Sequence, residues 1–257
     1  MKISYICCFN NEEQLKSLLL PSLEKLKKGK LVGNEPSVLL IDNREGKYKS
    51  AASAFNAEVL THIYELGDIL CFMHQDIAFD DDTFQQELIS AFENNDNQII
   101  GFSGKKCNDQ SYSNLRYYAT KDYIVNNQIT SPTEVESVDE CCFAIPQKLF
   151  LKLMFDEKVC FHWHLYAVEL CYHANRDFDT KINVATSEIY HKLQDDIGLA
   201  LDTFFFKTLM LIIKKYRKDY KRIYAPCYTI WTNPILARLQ LLKTKIDTTL
   251  HHNKRFA

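Results

Sequence analysis

The chain has 257 residues, 46% apolar and 25% charged, with a formal net charge of −2. That length holds one large domain, or one domain with an appendage, around a substantial core. The near-neutral charge excludes a general nucleic-acid-binding surface, and only seven glycines and six prolines argue against long flexible linkers.

Residues 2–9 read as a first strand and residues 37–41 as a second, which stops at Asp42-Asn43. Between them Asn10-Asn11-Glu12-Glu13 opens a helix with acids in its first turn. Leu15, Leu18, Leu19, Leu23 and Leu26 recur there at helical spacing, with a kink expected at Pro21. Residues 49–66 read as another helix, with Ala51, Ala52, Phe55, Val59 and Ile63 on one side. Residues 69–73 are too short for a buried helix and rich in strand formers, so they read as a buried strand. It ends abruptly in His74-Gln75-Asp76. A helix follows over about 83–93 and a fourth strand over 98–102. Strand and helix thus alternate, the pattern of a parallel sheet with helices on both faces.

After residue 105 the pattern loosens. Residues 115–125 and 135–145 suggest strands, including one antiparallel excursion. Residues 146–154 and 166–175 suggest helices, and 181–190 a strand ending at His191. Helices are expected over 198–216 and 235–250. The division expected is a domain over 1–197 and a basic, helical C-terminal appendage over 198–257, its apolar side on the core. From Lys207 to Arg255 twelve Lys or Arg face two acids, Asp219 and Asp247. Such a tail suits an anionic lipid surface, or simply a solvated helix face.

Nine cysteines, without a C-x-x-C pair, lie mostly in apolar runs. This is the usage of buried free thiols in a reducing cytosol. The pairs Cys7-Cys8 and Cys141-Cys142 read as strand residues, one facing each way. The N-terminus turns polar after nine residues, too soon for a signal peptide, and no 18-residue apolar run predicts a membrane span.

Asp76 stands out on position alone. A carboxylate at the carboxyl end of a central strand is where open α/β sheets place ligand chemistry. A turn is the other use of an Asp there. Cys160, His162 and His164 alternate and Cys171 and His173 follow, ligand types for zinc whose spacing fits no established finger.

The order of Asp42, Asn56 in SAASAFN, His74-Gln75-Asp76, Phe155-Asp156-Glu157, WHLYAVELC and a strand ending in His191 resembles the family-two glycosyltransferases with the GT-A fold. Within them the likeness is to the branch related to streptomycin-biosynthesis glycosyltransferases, over residues 2–195. The resemblance implies a Rossmann-like, mostly parallel sheet flanked by helices. It implies metal-dependent transfer, with inversion, of a sugar from a nucleoside-diphosphate sugar to a saccharide or lipid-linked acceptor hydroxyl, in bacterial polysaccharide or glycoconjugate synthesis. It also implies residue roles. Phe9 ends a strand that leads into the nucleotide pocket, Asp42 accepts a hydrogen bond from the base, and Asn56 belongs to the same pocket. Asp76 holds Mn²⁺ or Mg²⁺ against the diphosphate, and His191 completes the metal site. Asp139 lies on the acceptor side; Trp163, read from the residues alone, is either core or an acceptor-side sugar-stacking platform.

The chain departs from the family at the base, where Ala167 stands in place of the expected Asp. Glu169 matches the family's second acid, but residues 167 and 169 point about 200° apart on a helix. His164 shares a face with 167, and histidine is a residue type suited to general-base work. Glu169 with His164 as helper is the expected acid–base pair, and a non-catalytic nucleotide-sugar binder or membrane-surface scaffold is the alternative. A nucleotidyltransferase is disfavoured because FNNEEQ after the first strand has no phosphate-cradling glycine.

Overall fold

The computed structural model describes residues 1–27, 35–80, 82–192 and 202–255. At its centre lies a seven-stranded sheet in the order Ser37–Asp42, Ile3–Phe9, Ile69–Met73, Cys142–Pro146, Gln98–Gly101, Lys181–Val184 and Thr133–Glu134. Five strands share one direction, and Cys142–Pro146 and Thr133–Glu134 run against them. The antiparallel excursion is therefore Cys142–Pro146, inserted between two parallel strands.

Period-two alternation gives the sheet two buried faces. Along Ile69–Met73, Leu70 and Phe72 enter one core cluster, and Ile69, Cys71 and Met73 enter the other. The helices Ala51–Thr61, Gln147–Leu153 and Tyr166–Phe178 cover the first face. Thr83–Asn94 and the N-terminal helix cover the second. That N-terminal helix runs on through Glu12–Gln14, a π turn over Leu15–Leu19, and Leu20–Lys27. The π turn comes just ahead of Pro21, which offers no N–H to the ladder. Cys7 and Cys8 face opposite clusters, but Cys141 and Cys142 both enter the second, because Cys141 precedes its strand. All nine cysteines are free.

The expected strand over 181–190 divides in two. Lys181–Val184 stays in the main sheet, whereas Tyr190–His191 leaves it to pair with Ile77–Ala78 and Arg116–Tyr117. In that small sheet His191 is in register with Ile77, and Lys192 N–H donates to Asp76 C=O at 3.0 Å. The pairing brings residue 191 beside residue 76.

The C-terminal segment differs from the helical appendage expected. The helix Thr203–Tyr216 buries Phe205, Leu209, Ile212, Ile213 and Tyr216 in the first core cluster. A hairpin, Arg222–Ala225 with Tyr228–Trp231, follows it and adds Ile223, Ala225 and Ile230 to the same cluster. The last helix, Pro234–Arg255, starts on Asn233, whose Oδ1 accepts from the N–H groups of Ile235 and Leu236. Its apolar residues divide: Ala237 and Leu241 pack on the core as expected, whereas Ile235, Leu236, Leu239 and Leu242 are exposed.

Candidate metal and nucleotide site

A cleft of about 610 Å³ opens at the carboxyl ends of Ile3–Phe9 and Ile69–Met73. Its lining includes Phe9, Arg44, His74, Asp76, Trp163 and Tyr166. The floor is an aromatic cluster, with Phe55 4.9 Å from Phe72 and 5.7 Å from Tyr166 between ring centroids. Such pairs add about 0.5–1.5 kcal/mol each beyond burial and hold Tyr166 in place.

His74, Asp76 and His191 converge at the mouth of the central strand, with one ligand atom from each within 4.8 Å of the others. Asp76 Oδ1 is buried and makes no well-directed hydrogen bond, although His191 Nε2 lies 3.2 Å away and His74 Nδ1 4.0 Å away. Burial opposes the Asp76 charge, but His191 and His74 outweigh it and hold the carboxyl below its ordinary range. Burial also opposes charge on His191, yet Asp76 raises it. His74 is pushed down, chiefly by burial. An orphaned carboxylate oxygen facing two imidazole nitrogens fits a divalent cation. Ligands about 2.1 Å from one ion stand up to about 4.2 Å apart, so only a small inward adjustment is needed.

Outer groups orient these ligands. His74 Nε2 is 3.3 Å from the Tyr166 hydroxyl, which is 3.3 Å from Glu140 C=O. With Nε2–H donating to the hydroxyl and the hydroxyl donating to the carbonyl, the Nδ1 lone pair is left toward Asp76. Gln75 points the other way and staples the loop after the first strand. Its Oε1 accepts from Asn10 N at 3.0 Å and Asn11 N at 2.9 Å.

The other expected site residues divide. Phe9 and Trp163 line the cleft, and Asp139 is close enough for its charge to raise both His74 and His191. Asp42 is in register with Phe9, but Arg44 occupies its carboxylate at 2.6–3.1 Å and holds it down at about 2. Arg44 is thus the group that lines the cleft at this end. Asn56 is not on the cleft: its side chain clamps Phe155, accepting from its N–H at 3.0 Å and donating to its C=O at 2.9 Å.

The expected acid–base pair is not in the cleft either. Glu169 is fully buried, with Oε1 2.6 Å from Lys215 Nζ and 2.7 Å from the Tyr216 hydroxyl. Lys215 also reaches Asp156 Oδ2 at 2.7 Å, so Glu169 belongs to a network that ties two helices to the 155–157 turn. His164 Nε2 faces Asp202 at 3.3 Å. The zinc alternative falls with it. Residues 160–164 form no strand, His162 stacks on Phe204, and the only such ligand group among the described residues is His74, Asp76 and His191.

Sequence reasoning passed over His74, Arg44, Tyr166 and Glu140. His74 carried a signal, since residues i and i+2 of an extended H-x-D face one side. Glu140 carried none. Its carboxylate accepts from Leu165 N–H just ahead of helix Tyr166–Phe178, where Leu165 adopts a left-handed φ of 62°. Burial first, and then Asp139, push the Glu140 carboxyl well above its ordinary range.

No protein-family model matches the sequence, and no curated protein matches it. Solved structures do resemble the fold. A mannosyltransferase from Pyrobaculum calidifontis, in complex with GDP-Man and Mn²⁺, has a TM-score of 0.58 at 10% identity, over 88% of this chain and 66% of that one. GalNAc-T7 with UDP, GalNAc and Mn²⁺ has a TM-score of 0.55 at 12% identity, over 82% of this chain and 47% of that one. Residues 1–349 of S. aureus TarS have a TM-score of 0.51 at 10% identity, over 84% and 65%. The chain thus spans about half the length of GalNAc-T7. These likenesses establish the GT-A fold.

Proposed function

We propose that the protein transfers a sugar from a nucleoside-diphosphate sugar to an acceptor hydroxyl, with a divalent cation held by His74, Asp76 and His191. One observation carries this: the orphaned Asp76 oxygen and two imidazoles converge beside a 610 Å³ cleft at the carboxyl end of the central strand. When bound, the ion would neutralise charge growing on the leaving diphosphate. Arg44, paired with Asp42 and Glu12, lines the far end of the cleft, and Phe9 beside it offers an apolar ring, with 5.7 Å from guanidinium to ring. Trp163 offers the sugar a stacking face.

The acid we assign in place of the missing Asp is Glu140. It is half-buried and not itself on the cleft lining, but it sits against the start of helix Tyr166–Phe178 and next to the Trp163–Tyr166 rim. A carboxylate there can take the acceptor's proton when a hydroxyl enters over that rim. A single base acting on the acceptor, with no second carboxylate assigned as a nucleophile, goes with inversion. A saccharide or lipid-linked acceptor, for polysaccharide or glycoconjugate synthesis, is the extension of this reading.

A second reading, binding of a nucleotide sugar without transfer, is favoured by Ala167 in the core and Glu169 in its ion pair. A thermal-shift series with UDP and GDP, with and without Mn²⁺, tests the site common to both. Metal-dependent stabilisation is expected, and its absence for every nucleotide overturns the site. Release of nucleoside diphosphate from UDP- or GDP-sugars separates the two readings, and Glu140→Gln should abolish it while leaving the thermal shift intact.

A further inference from the structure

The last helix, Pro234–Arg255, carries an apolar face that the core does not cover. Its inner face is mixed and docks on the hairpin and the core: Gln240 bonds the backbone of Thr229 and Trp231, the Thr244 hydroxyl lies 2.7 Å from that of Tyr228, and Ala237 and Leu241 pack on the first core cluster. Its outer face is apolar. Ile235, Leu236, Leu239 and Leu242 are 70%, 43%, 58% and 56% exposed, whereas Ala237 is buried. At ~100° per residue the four fall within an arc of about 120°, on the side away from Ala237 and Thr244. Arg238 stands about 40° outside one edge of that arc, and Lys243 lies about 20° inside the other, both exposed. No acid occurs between Asp219 and Asp247.

An exposed aliphatic stripe edged by cations matches the boundary between acyl chains and anionic headgroups. Leu and Ile enter the acyl region, while long basic side chains reach back to phosphate. No helix among the described residues is long and apolar enough to cross a membrane, so this one would lie along the surface. A second copy of the chain fits less well. The stripe runs ~10 Å along the axis, far short of the ~800 Å² per partner of a stable interface, and paired copies would bring like charges together.

We infer that Pro234–Arg255 lies in the plane of an anionic bilayer, with Ile235, Leu236, Leu239 and Leu242 in the acyl boundary and Arg238 and Lys243 on headgroup phosphates. This is independent of the proposed transfer reaction. The test is sedimentation of the full chain with vesicles of phosphatidylcholine alone and of phosphatidylcholine with phosphatidylglycerol. Binding to the anionic vesicles should exceed binding to the neutral ones and weaken with salt. Arg238→Glu with Lys243→Glu should lose roughly 25-fold or more, at about fivefold per cation. Leu239→Ser with Leu242→Ser should lose roughly tenfold or more. The altered residues are exposed, so both variants should keep the wild-type melting temperature. No binding to either vesicle, equal binding to both, or full binding by either double variant overturns the inference. So does a lipid-free dimer that Leu239→Ser with Leu242→Ser dissolves, which would assign the stripe to a second copy.

Discussion

Lys215→Met is the sharpest test of what holds this fold together. Lys215 Nζ lies 2.6 Å from Glu169 and 2.7 Å from Asp156, with side-chain exposures of 22%, 0% and 27% for the three residues. Removing one member of a buried pair costs about 3–5 kcal/mol, because the remaining charge is stranded. Glu169 Oε2 already lacks a hydrogen-bond partner, so the Tyr216 hydroxyl would be its main relief. Partial exposure of Lys215 places the cost near the lower end, about 3 kcal/mol. For a chain of this size that lowers the melting temperature by about 6–12 °C. Glu169→Gln added to Lys215→Met removes the stranded charge, so the double variant should lose less than the sum, by about 1–2 kcal/mol. A Lys215→Met loss below about 0.5 kcal/mol, as at an ordinary surface site, refutes the reasoning, and so does strict additivity. Glu169→Gln with unchanged stability and no transfer would return Glu169 to the chemistry. The sign with pH is also set. Burial opposes the Asp156 charge, but Lys215 lowers its pKa below the ordinary 3.8, so its contribution is present above 3.8 and lost as pH falls through the lowered value. Burial likewise opposes the Lys215 charge, but Glu169 and Asp156 raise its pKa above 10.5, so its contribution is present below 10.5 and lost as pH rises through the raised value.

Asp76→Asn should abolish the Mn²⁺-dependent thermal shift with UDP or GDP, and His74→Ala should weaken Mn²⁺ retention about 10–100-fold; calorimetric Mn²⁺ titration checks both. Two imidazole ligands suit Mn²⁺ better than Mg²⁺, so Mg²⁺ at equal concentration should give the smaller shift. Asn56→Ala strands the backbone N–H and C=O of Phe155 and should cost about 1–3 kcal/mol in denaturant unfolding, with nucleotide affinity unchanged in the folded fraction. Asp42→Ala releases Arg44 and removes the acceptor assigned to the base, so nucleoside affinity without metal should fall; unchanged affinity removes Asp42 from the site.

What was legible in the chain was whatever repeats locally. ISYICCF and ILCFM announce buried strands through composition and length, and their order around two helices implies the parallel half of the sheet. Asp76 could be placed because a strand end needs no partner to be recognised. Two-residue strands have no period to read, so the pairing of Tyr190–His191 with Ile77–Ala78 was not visible, even though His191 was expected at the metal. The hairpin over 222–231 was missed because the turn between its strands, Pro226-Cys227, lacks the Gly or Asn of common two-residue loops. Glu169 was misplaced for another reason. A carboxylate within a helix looks the same whether it faces substrate or a lysine 46 residues away.

The metal group itself follows from a trade that the sequence states and only the fold explains. A D-x-D element brings two negative charges to one ion, whereas His74-Gln75-Asp76 brings one, and the element alone looks short of a ligand. Adding His191 through the small sheet restores three donors without restoring the charge. One carboxylate, two neutral imidazoles and a divalent ion leave a net charge of about +1, whereas two carboxylates would leave none. The surplus would sit beside the cleft proposed for the diphosphate, whose other cation, Arg44, is already paired with Asp42 and Glu12. In the proposed reaction, positive charge would thus be kept for the leaving group and not spent on the ligands, which is where electrostatic stabilisation lowers a barrier.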